Sequence, residues 1–275
     1  MAQYKVEGKT FLITGGASGL GAAYVEPFLN LGAKSIAILD IAEKTGKAFA
    51  DRMNETNPGK VIFIKCDVSK EEEIARAFNE VLVAFKQIDV VINNAGIMVD
   101  NPEVWRTACD VNWQGVVSFT MKAINHMSKA EGGVGGTIIN IASAVATRKT
   151  QYLPIYSGSK AAVLHFSQSI AMDPFFSQTG VRILTMCYDV TDTPLLQGLE
   201  KRTYDPKLAK PLLDYVAAMP NEFQKISSAV NALVLMCQTG APGSIWYVGD
   251  DKPGRDITSI IDEGFADFQK KILEA

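Results

Sequence analysis

The sequence predicts a doubly wound α/β fold: a parallel sheet of about seven strands with helices on both faces, built as a single domain. Seven short runs of apolar and β-branched residues recur along the chain: Thr10–Thr14, Ser35–Leu39, Val61–Lys65, Val90–Asn93, Thr137–Ile141, Val181–Cys187 and Ser244–Val248. Each is nearly uniformly apolar, as strands buried on both faces should be. Between them lie longer segments with apolar positions at helical spacing, such as Glu71–Ala84, Pro102–His126 and Ile155–Phe176. Strands alternating with helices over nearly the whole chain imply crossover connections, and so a parallel sheet. No repeat, low-complexity tract or linker divides the 275 residues, so one domain spanning 1–275 is expected.

Composition excludes several classes. A net charge of −3, from 27 basic and 30 acidic residues, gives no electrostatic footing for nucleic acid or an anionic membrane. The cysteines Cys66, Cys109, Cys187 and Cys237 form no CxxC pair and sit in or beside apolar runs, which predicts free thiols in a reducing compartment. Behind the charged N-terminus the next apolar stretch, Phe11–Ile13, is too short for a signal peptide or a span, so a cytoplasmic location is expected. His126 and His165 have no Cys, His or carboxylate at ligand spacing, so no metal site is predicted. The amphipathic tail Phe265–Ile272 is expected to pack on the body or on a neighbouring subunit, its charges weighing against membrane insertion.

Two stretches interrupt the alternation. The glycine-rich stretch Glu131–Gly136 reads as a flexible surface loop before a strand. The segment from Thr193 to Asn221 mixes helix and loop and holds Pro194, Pro206, Pro211 and Pro220. Long insertions in compact domains are often lids or binding loops, so 193–221 is the expected substrate cover.

The first strand runs into Thr14-Gly15-Gly16-Ala17-Ser18-Gly19-Leu20-Gly21, which opens a helix. Helix N-termini offer N–H groups and a positive dipole end to a pyrophosphate, and glycines let the backbone approach it closely. Asp40 ends the second strand, 19 residues beyond Gly21, where a carboxylate can accept hydrogen bonds from an adenosine ribose. It would repel a 2′-phosphate; Ile41 and Ala42 follow it with no cation, and Ser18 is uncharged, so NAD is expected rather than NADP. Asp67-Val68 after the third strand could hold the adenine edge. Asn94-Ala95-Gly96 after the fourth could line the cofactor and, with Asn93, brace the sheet. Ligands bind outside the carboxyl ends of strands in open α/β sheets, so these positions converge on one crevice of a Rossmann fold.

Tyr156-Ser157-Gly158-Ser159-Lys160 begins a long helical stretch, and the i, i+4 spacing points Tyr156 and Lys160 into the same space. Ser143 closes the fifth strand, 13 residues before Tyr156. Alcohol oxidation needs a base for the hydroxyl proton as hydride leaves carbon, and a tyrosine becomes one only when nearby positive charge favours its phenolate. Lowering a phenol from about 10 to about 7 takes roughly 4 kcal/mol. Ser143 would hold the substrate oxygen.

With the TGxxxGxG loop, the strand-end Asp, Asn93-Asn94-Ala95-Gly96, Ser143 and the YxxxK pair in this order, the chain is similar to the short-chain dehydrogenase/reductase family over essentially its whole length. That resemblance implies a nicotinamide-dependent oxidoreductase acting on an alcohol or ketone, usually a homodimer or homotetramer. It gives Asn112 a place in a proton relay, at a bend of a helix around a water that contacts the lysine. Thr193, with Thr191 nearby, takes the position that binds the carboxamide of nicotinamide. Met127-Ser128-Lys129, Gly132–Gly136 and Pro154–Ala162 resemble the branch holding NAD-dependent prostaglandin dehydrogenases and insect-type alcohol dehydrogenases, which implies secondary alcohols, lipid- or hormone-like ones included. One departure stands out: Tyr188-Asp189 occupies the place of the family's Pro-Gly beside the nicotinamide. A Gly position often needs angles costly for other residues, so reduced cofactor affinity or lost turnover is one expectation here. It leaves a second reading open, a non-catalytic dinucleotide-binding protein that acts through partners.

Overall fold

The computed structural model describes residues 4–219 and 223–274. Met1–Gln3, and Pro220 and Asn221 at the end of the expected cover, lie outside the described residues. One sheet holds eight strands: β1 Thr10–Thr14, β2 Ser35–Asp40, β3 Val61–Lys65, β4 Val90–Asn93, β5 Gly136–Ile141, β6 Val181–Tyr188, β7 Ile245–Val248 and β8 Arg255–Asp256. They lie in the order β3-β2-β1-β4-β5-β6-β7-β8, and every neighbouring pair runs parallel except β7 and β8. Each of the seven apolar runs is one of the parallel strands. The eighth strand has only two residues, too few to leave a periodicity in the sequence.

Helices α1 Gly19–Ala23, α2 Val25–Asn30, α3 Glu43–Thr56, α4 Glu71–Phe85, α5 Trp105–Cys109, α6 Gly115–Met127, α7 Pro154–Ile170, α8 Phe175–Thr179, α9 Ala209–Ala217, α10 Ile226–Thr239 and α11 Thr258–Leu273 complete the fold. Side chains alternate across a strand, so β1 feeds two cores. Phe11 and Ile13 join Phe28 of α2, Phe49 of α3 and Leu233 of α10. Leu12, between them, joins Phe78 of α4 and Phe119 of α6 on the other face. On α4 the buried positions Ile74, Ala77, Phe78 and Val81 form one stripe, and Glu71–Glu73 in its first turn complement the positive end of the helix dipole.

Two expected helices are broken, each for a local reason. The stretch 102–126 consists of α5, a π-helical turn at Asp110–Gln114 closed by the Gly115 N–H on the Asp110 carbonyl, and α6. The stretch 155–176 ends as helix at Ile170, because Pro174 has no N–H to donate and disfavours helical angles at Asp173; α8 then starts at Phe175. In the expected cover, Pro194–Leu196, Leu199–Lys201 and Pro206–Leu208 are short 3-10 turns and α9 follows. Pro194 and Pro206 each open a turn, where a missing N–H costs nothing. No described helix is long and apolar enough to cross a membrane. Cys66, Cys187 and Cys237 are buried free thiols, and Cys109 is a half-buried one. The strand order reverses between β1 and β4, and the functional crevice opens there.

Candidate active site

A cleft of about 380 Å³ lies outside the carboxyl ends of β1, β2, β4, β5 and β6. It is lined by Gly15, Ser18, Gly19, Leu20, Asp40, Ile41, Asp67, Val68, Asn94, Ala95, Gly96, Ser143, Tyr156, Lys160, Thr191 and Thr193. Of the residues singled out in the sequence, Gly21 and Asn112 do not line it. Both are buried behind the wall.

The glycine loop is shaped by close approach. A Cβ on Gly21 would stand 2.1 Å from the Gly15 carbonyl oxygen and 2.7 Å from Asn94 Nδ2, so α1 can tuck under the turn only without one. Gly19 differs: its φ is +54°, and a Cβ there would meet nothing within 4 Å. That open face fits a phosphate, with the start of α1 behind it. Gly21→Ala should therefore weaken NADH binding at least tenfold by displacing the loop; fluorescence titration checks this, and wild-type affinity would contradict it.

Asp40 is half-buried at the end of β2. Its Oδ2 accepts the Ala17 N–H at 3.0 Å and its Oδ1 the Ala42 N–H at 2.9 Å. The carboxylate thus pins the glycine loop to the strand end while facing the cleft, the chemistry an adenosine ribose needs. Asp67 is more committed, with Oδ1 accepting from the backbone and hydroxyl of Ser69 and Oδ2 paired with Lys70 at 3.6 Å. Asn94 Nδ2 donates to the carbonyls of Thr14 (3.0 Å) and Gly15 (3.2 Å), and Thr14 Oγ1 accepts the N–H groups of Asn94 and Ala95. The strand-end asparagine therefore braces β1 against β4.

Tyr156 and Lys160 project from the first turns of α7, and Ser143 from the end of β5. The Ser143 hydroxyl interacts with the Tyr156 phenol and donates to the Tyr188 carbonyl at 3.3 Å. Burial pushes the phenol up to about 12, against the lowering effect of the Ser143 hydrogen bond. Lys160 Nζ donates to the Ile141 carbonyl at 2.8 Å and lies 6.0 Å from the Tyr156 ring centre. Bringing a phenol from about 12 to about 7 takes roughly 7 kcal/mol. One ammonium about 6 Å from the ring centre contributes on the order of 3 kcal/mol at an effective dielectric of 20, about half of that.

Burial also pulls Lys160 down to about 8 from its ordinary 10.5. The unfolded chain then holds this proton more tightly than the folded one, so the group costs stability below about pH 8. That cost fades as pH rises from about 8 toward 10.5. Lys160→Met should be more stable than wild type at neutral pH, with a gap that narrows through that window. Urea unfolding at about pH 7 and pH 9.5 measures it, and a pH-independent gap contradicts it.

Asn112 sits inside the π-turn. Its Oδ1 accepts the Ile97 N–H at 2.8 Å, and its Nδ2 donates to the Ile97 carbonyl at 2.8 Å and to Ser159 Oγ at 3.3 Å. The side chain thus grips the cleft-lining loop after β4 and binds it to α7. The Thr191 hydroxyl is also spent, donating to the Asp189 carbonyl and accepting from Gln224 Nε2 at 2.6 Å. Thr193 opens the first turn of the expected cover.

At the family's Pro-Gly position, Asp189 has no positive φ, so the expected backbone penalty is absent. Its carboxylate receives the Tyr247 hydroxyl at 2.7 Å and pairs with Arg148 at 3.4 Å. The Tyr188 phenol turns into the core and accepts a 2.9 Å hydrogen bond from Tyr24, between α1 and α2. Sequence reasoning did not find Asp100, whose buried carboxylate accepts the N–H groups of Ile155 and Tyr156. Its partners lie 55 and 56 residues away, and no short-range pattern marks such a pairing.

A family model described as short chain dehydrogenase matches residues 9–203. A 15-hydroxyprostaglandin dehydrogenase named for NAD(+), from Rattus norvegicus, is 37% identical over 199 residues, 71% of this chain and 73% of the relative. Alcohol dehydrogenase 1 of Ceratitis cosyra is 32% identical over 202 residues, 73% of this chain and 77% of the relative. Among solved structures, the 3-ketoacyl-(acyl-carrier-protein) reductase from Brucella melitensis complexed with NADH superposes with a TM-score of 0.72 and 26% identity, covering 88% of this chain and 97% of that one. Levodione reductase, at 22% identity and a TM-score of 0.75 over 88% of this chain and 96% of its own, shares the fold.

Proposed function

The chain belongs to the short-chain dehydrogenase/reductase family, and from that premise we propose that it is an NAD-dependent oxidoreductase moving hydride between nicotinamide and a secondary alcohol or its ketone, with Tyr156 as acid–base. The observation that carries this reading is the convergence of Ser143, Tyr156 and Lys160 with the glycine loop and Asp40 on one cleft. Gly15–Gly21 would hold the pyrophosphate, Asp40 and Ile41 the adenosine ribose, Asp67 and Val68 the adenine, and Asn94–Gly96, Thr191 and Thr193 the nicotinamide half. Bound there, nicotinamide supplies the hydride acceptor and, when oxidised, a positive charge beside the phenol.

The chain's own groups do the rest. Ser143 donates a hydrogen bond to the substrate oxygen, and Tyr156 removes its proton as the carbon–hydrogen bond breaks. The Lys160 ammonium favours the phenolate and, lining the same cleft, would hydrogen-bond the cofactor ribose. Asn112, by fixing Ile97 and Ser159, would shape the loop behind the lysine, where the family resemblance puts the relay that returns the proton to solvent. Met98, Val145, Leu195 and Leu196 give the cleft an apolar wall, which suits a lipid- or hormone-like alcohol. The segment 193–219, with Pro194, Leu195 and Leu196 on the cleft, serves as its cover.

NAD is favoured over NADP because the Asp40 carboxylate at the cleft would repel a 2′-phosphate. The named relatives that use NAD(+) support this. A homodimer or homotetramer is supported by the exposed apolar side chains of α11, Ile260, Phe265, Phe268, Ile272 and Leu273. The buried free thiols Cys66, Cys187 and Cys237 suit a reducing compartment such as the cytoplasm. The non-catalytic alternative draws its support from Tyr188-Asp189; the absence of a positive φ at Asp189 weighs against the backbone-strain part of that argument. The reading is tested by absorbance at 340 nm with NAD and a panel of secondary alcohols, aliphatic and lipid-like. Cofactor reduction with at least one is expected. Tight NADH binding with no turnover on any would favour the non-catalytic alternative, and no NADH binding would overturn the cofactor assignment.

A further inference from the structure

The helix that carries Tyr156 and Lys160 has an unusual start. Pro154 is its first residue and has no N–H, and Leu153 before it has no side-chain acceptor. The Ser157 N–H bonds to the Leu153 carbonyl at 3.0 Å, leaving two donors in the first turn, those of Ile155 and Tyr156. Both go to one carboxylate: Asp100 Oδ2 accepts from Ile155 at 2.6 Å and Oδ1 from Tyr156 at 2.8 Å. Asp100 is 1% exposed, so the ion is held by these charge-assisted bonds and by the positive end of α7. It belongs to the loop after β4, whose Gly96, Ile97 and Met98 line the cleft.

Asp100 also reaches the opposite wall. Its own N–H donates to the Arg202 carbonyl at 2.7 Å. The Arg202 guanidinium donates to the carbonyls of Leu195 (2.7 Å) and Met98 (3.2 Å), and Asn101 Nδ2 to that of Lys201 (3.2 Å). One residue therefore joins the backbone of Tyr156, the loop that floors the cleft and the segment that covers it.

We propose that Asp100 is a positioning residue for the reaction, fixing Tyr156 through its backbone N–H and tying that turn of α7 to the seated cover; this rests on the reading of Tyr156 as acid–base. A carboxylate is needed because it accepts from both donors at once. An amide has one acceptor oxygen, and its NH₂ would face the second N–H. Loss of one bond leaves the turn free to shift, and displacements of about 1 Å at a reacting group can cost on the order of a hundredfold in rate. The glycine loop and Asp40, which would hold the pyrophosphate and adenosine, are pinned by hydrogen bonds to Ala17 and Ala42 that do not involve Asp100.

Asp100→Asn keeps the side-chain volume, and Asp100→Ala removes both acceptors. The expected result is a kcat lowered about 10- to 100-fold in Asn and more in Ala. The NADH dissociation constant and number of binding sites should stay at wild-type values, and the Ile155 and Tyr156 amides should exchange hydrogen faster in the cofactor-free protein. Wild-type kcat in Asp100→Asn would overturn the proposal, as would a loss of kcat and NADH sites in equal proportion in both variants, the mark of a purely structural role. A wild-type protein that turns over no alcohol overturns the parent reading, and this one falls with it. An active wild type beside a fully active Asp100→Asn overturns this one alone.

Discussion

Tyr156→Phe should lower kcat by about 10²–10⁴-fold while leaving NADH affinity close to wild type. The substitution removes a single oxygen. The ring stays in its buried place on α7, and the backbone N–H held by Asp100 is untouched. What disappears is the hydroxyl that interacts with Ser143 and that the proposed mechanism uses to exchange a proton with the substrate oxygen. Removing the hydroxyl also removes a buried polar group, so thermal stability should change little. Steady-state rates at 340 nm and NADH titration on the same preparation separate the two quantities. A variant with more than a tenth of wild-type kcat would contradict an acid–base role. A parallel loss of NADH binding would point to a ring that holds the cofactor rather than one that works on the substrate.

Asp40→Asn should lower kcat/KM with NAD about 10- to 100-fold and erase most of the discrimination against NADP, because hydrogen bonds to a charged group are worth about 1.5–3 kcal/mol. Two losses combine. The carboxylate now accepts N–H groups from both Ala17 and Ala42, whereas an amide can accept on only one side. The negative charge that would repel a 2′-phosphate is also gone, and like charges brought together in a site cost several kcal/mol. NADP should therefore gain in absolute terms even as NAD loses, although no cation nearby rewards its phosphate. The ratio of kcat/KM for the two cofactors reads this directly. An unchanged ratio would mean that Asp40 is only a loop anchor.

The parallel strands were legible because burial on both faces leaves short, uniformly apolar runs such as Phe11–Ile13 and Val90–Ile92. The cleft was legible for a related reason: its residues sit at strand ends and in one glycine loop, positions with a local signature. Less was visible where a partner is distant in the chain. Asp100 meets Ile155 and Tyr156 only after the crossover from β4 to α7 has folded. The Asp189 contacts with Arg148 and Tyr247 likewise join three separate elements. The π-turn at Asp110–Gln114 was expected only as a bend taken from the family resemblance, since a π-turn interrupts a helix without changing its composition. The segment proposed as the cover was marked by its prolines, but its seat on Met98 and Asp100 comes from backbone carbonyls, which a sequence does not reveal.

Hydride transfer itself is the most direct test of the account. A secondary alcohol deuterated at the carbinol carbon would be incubated with NAD and the wild-type protein, and the recovered NADH analysed by mass spectrometry and NMR. The account predicts one deuterium at C4 of the nicotinamide, on one face only, arriving about 10²- to 10⁴-fold more slowly with the Tyr156→Phe protein. Unlabelled NADH, or label arriving equally with wild type and Tyr156→Phe, would contradict it.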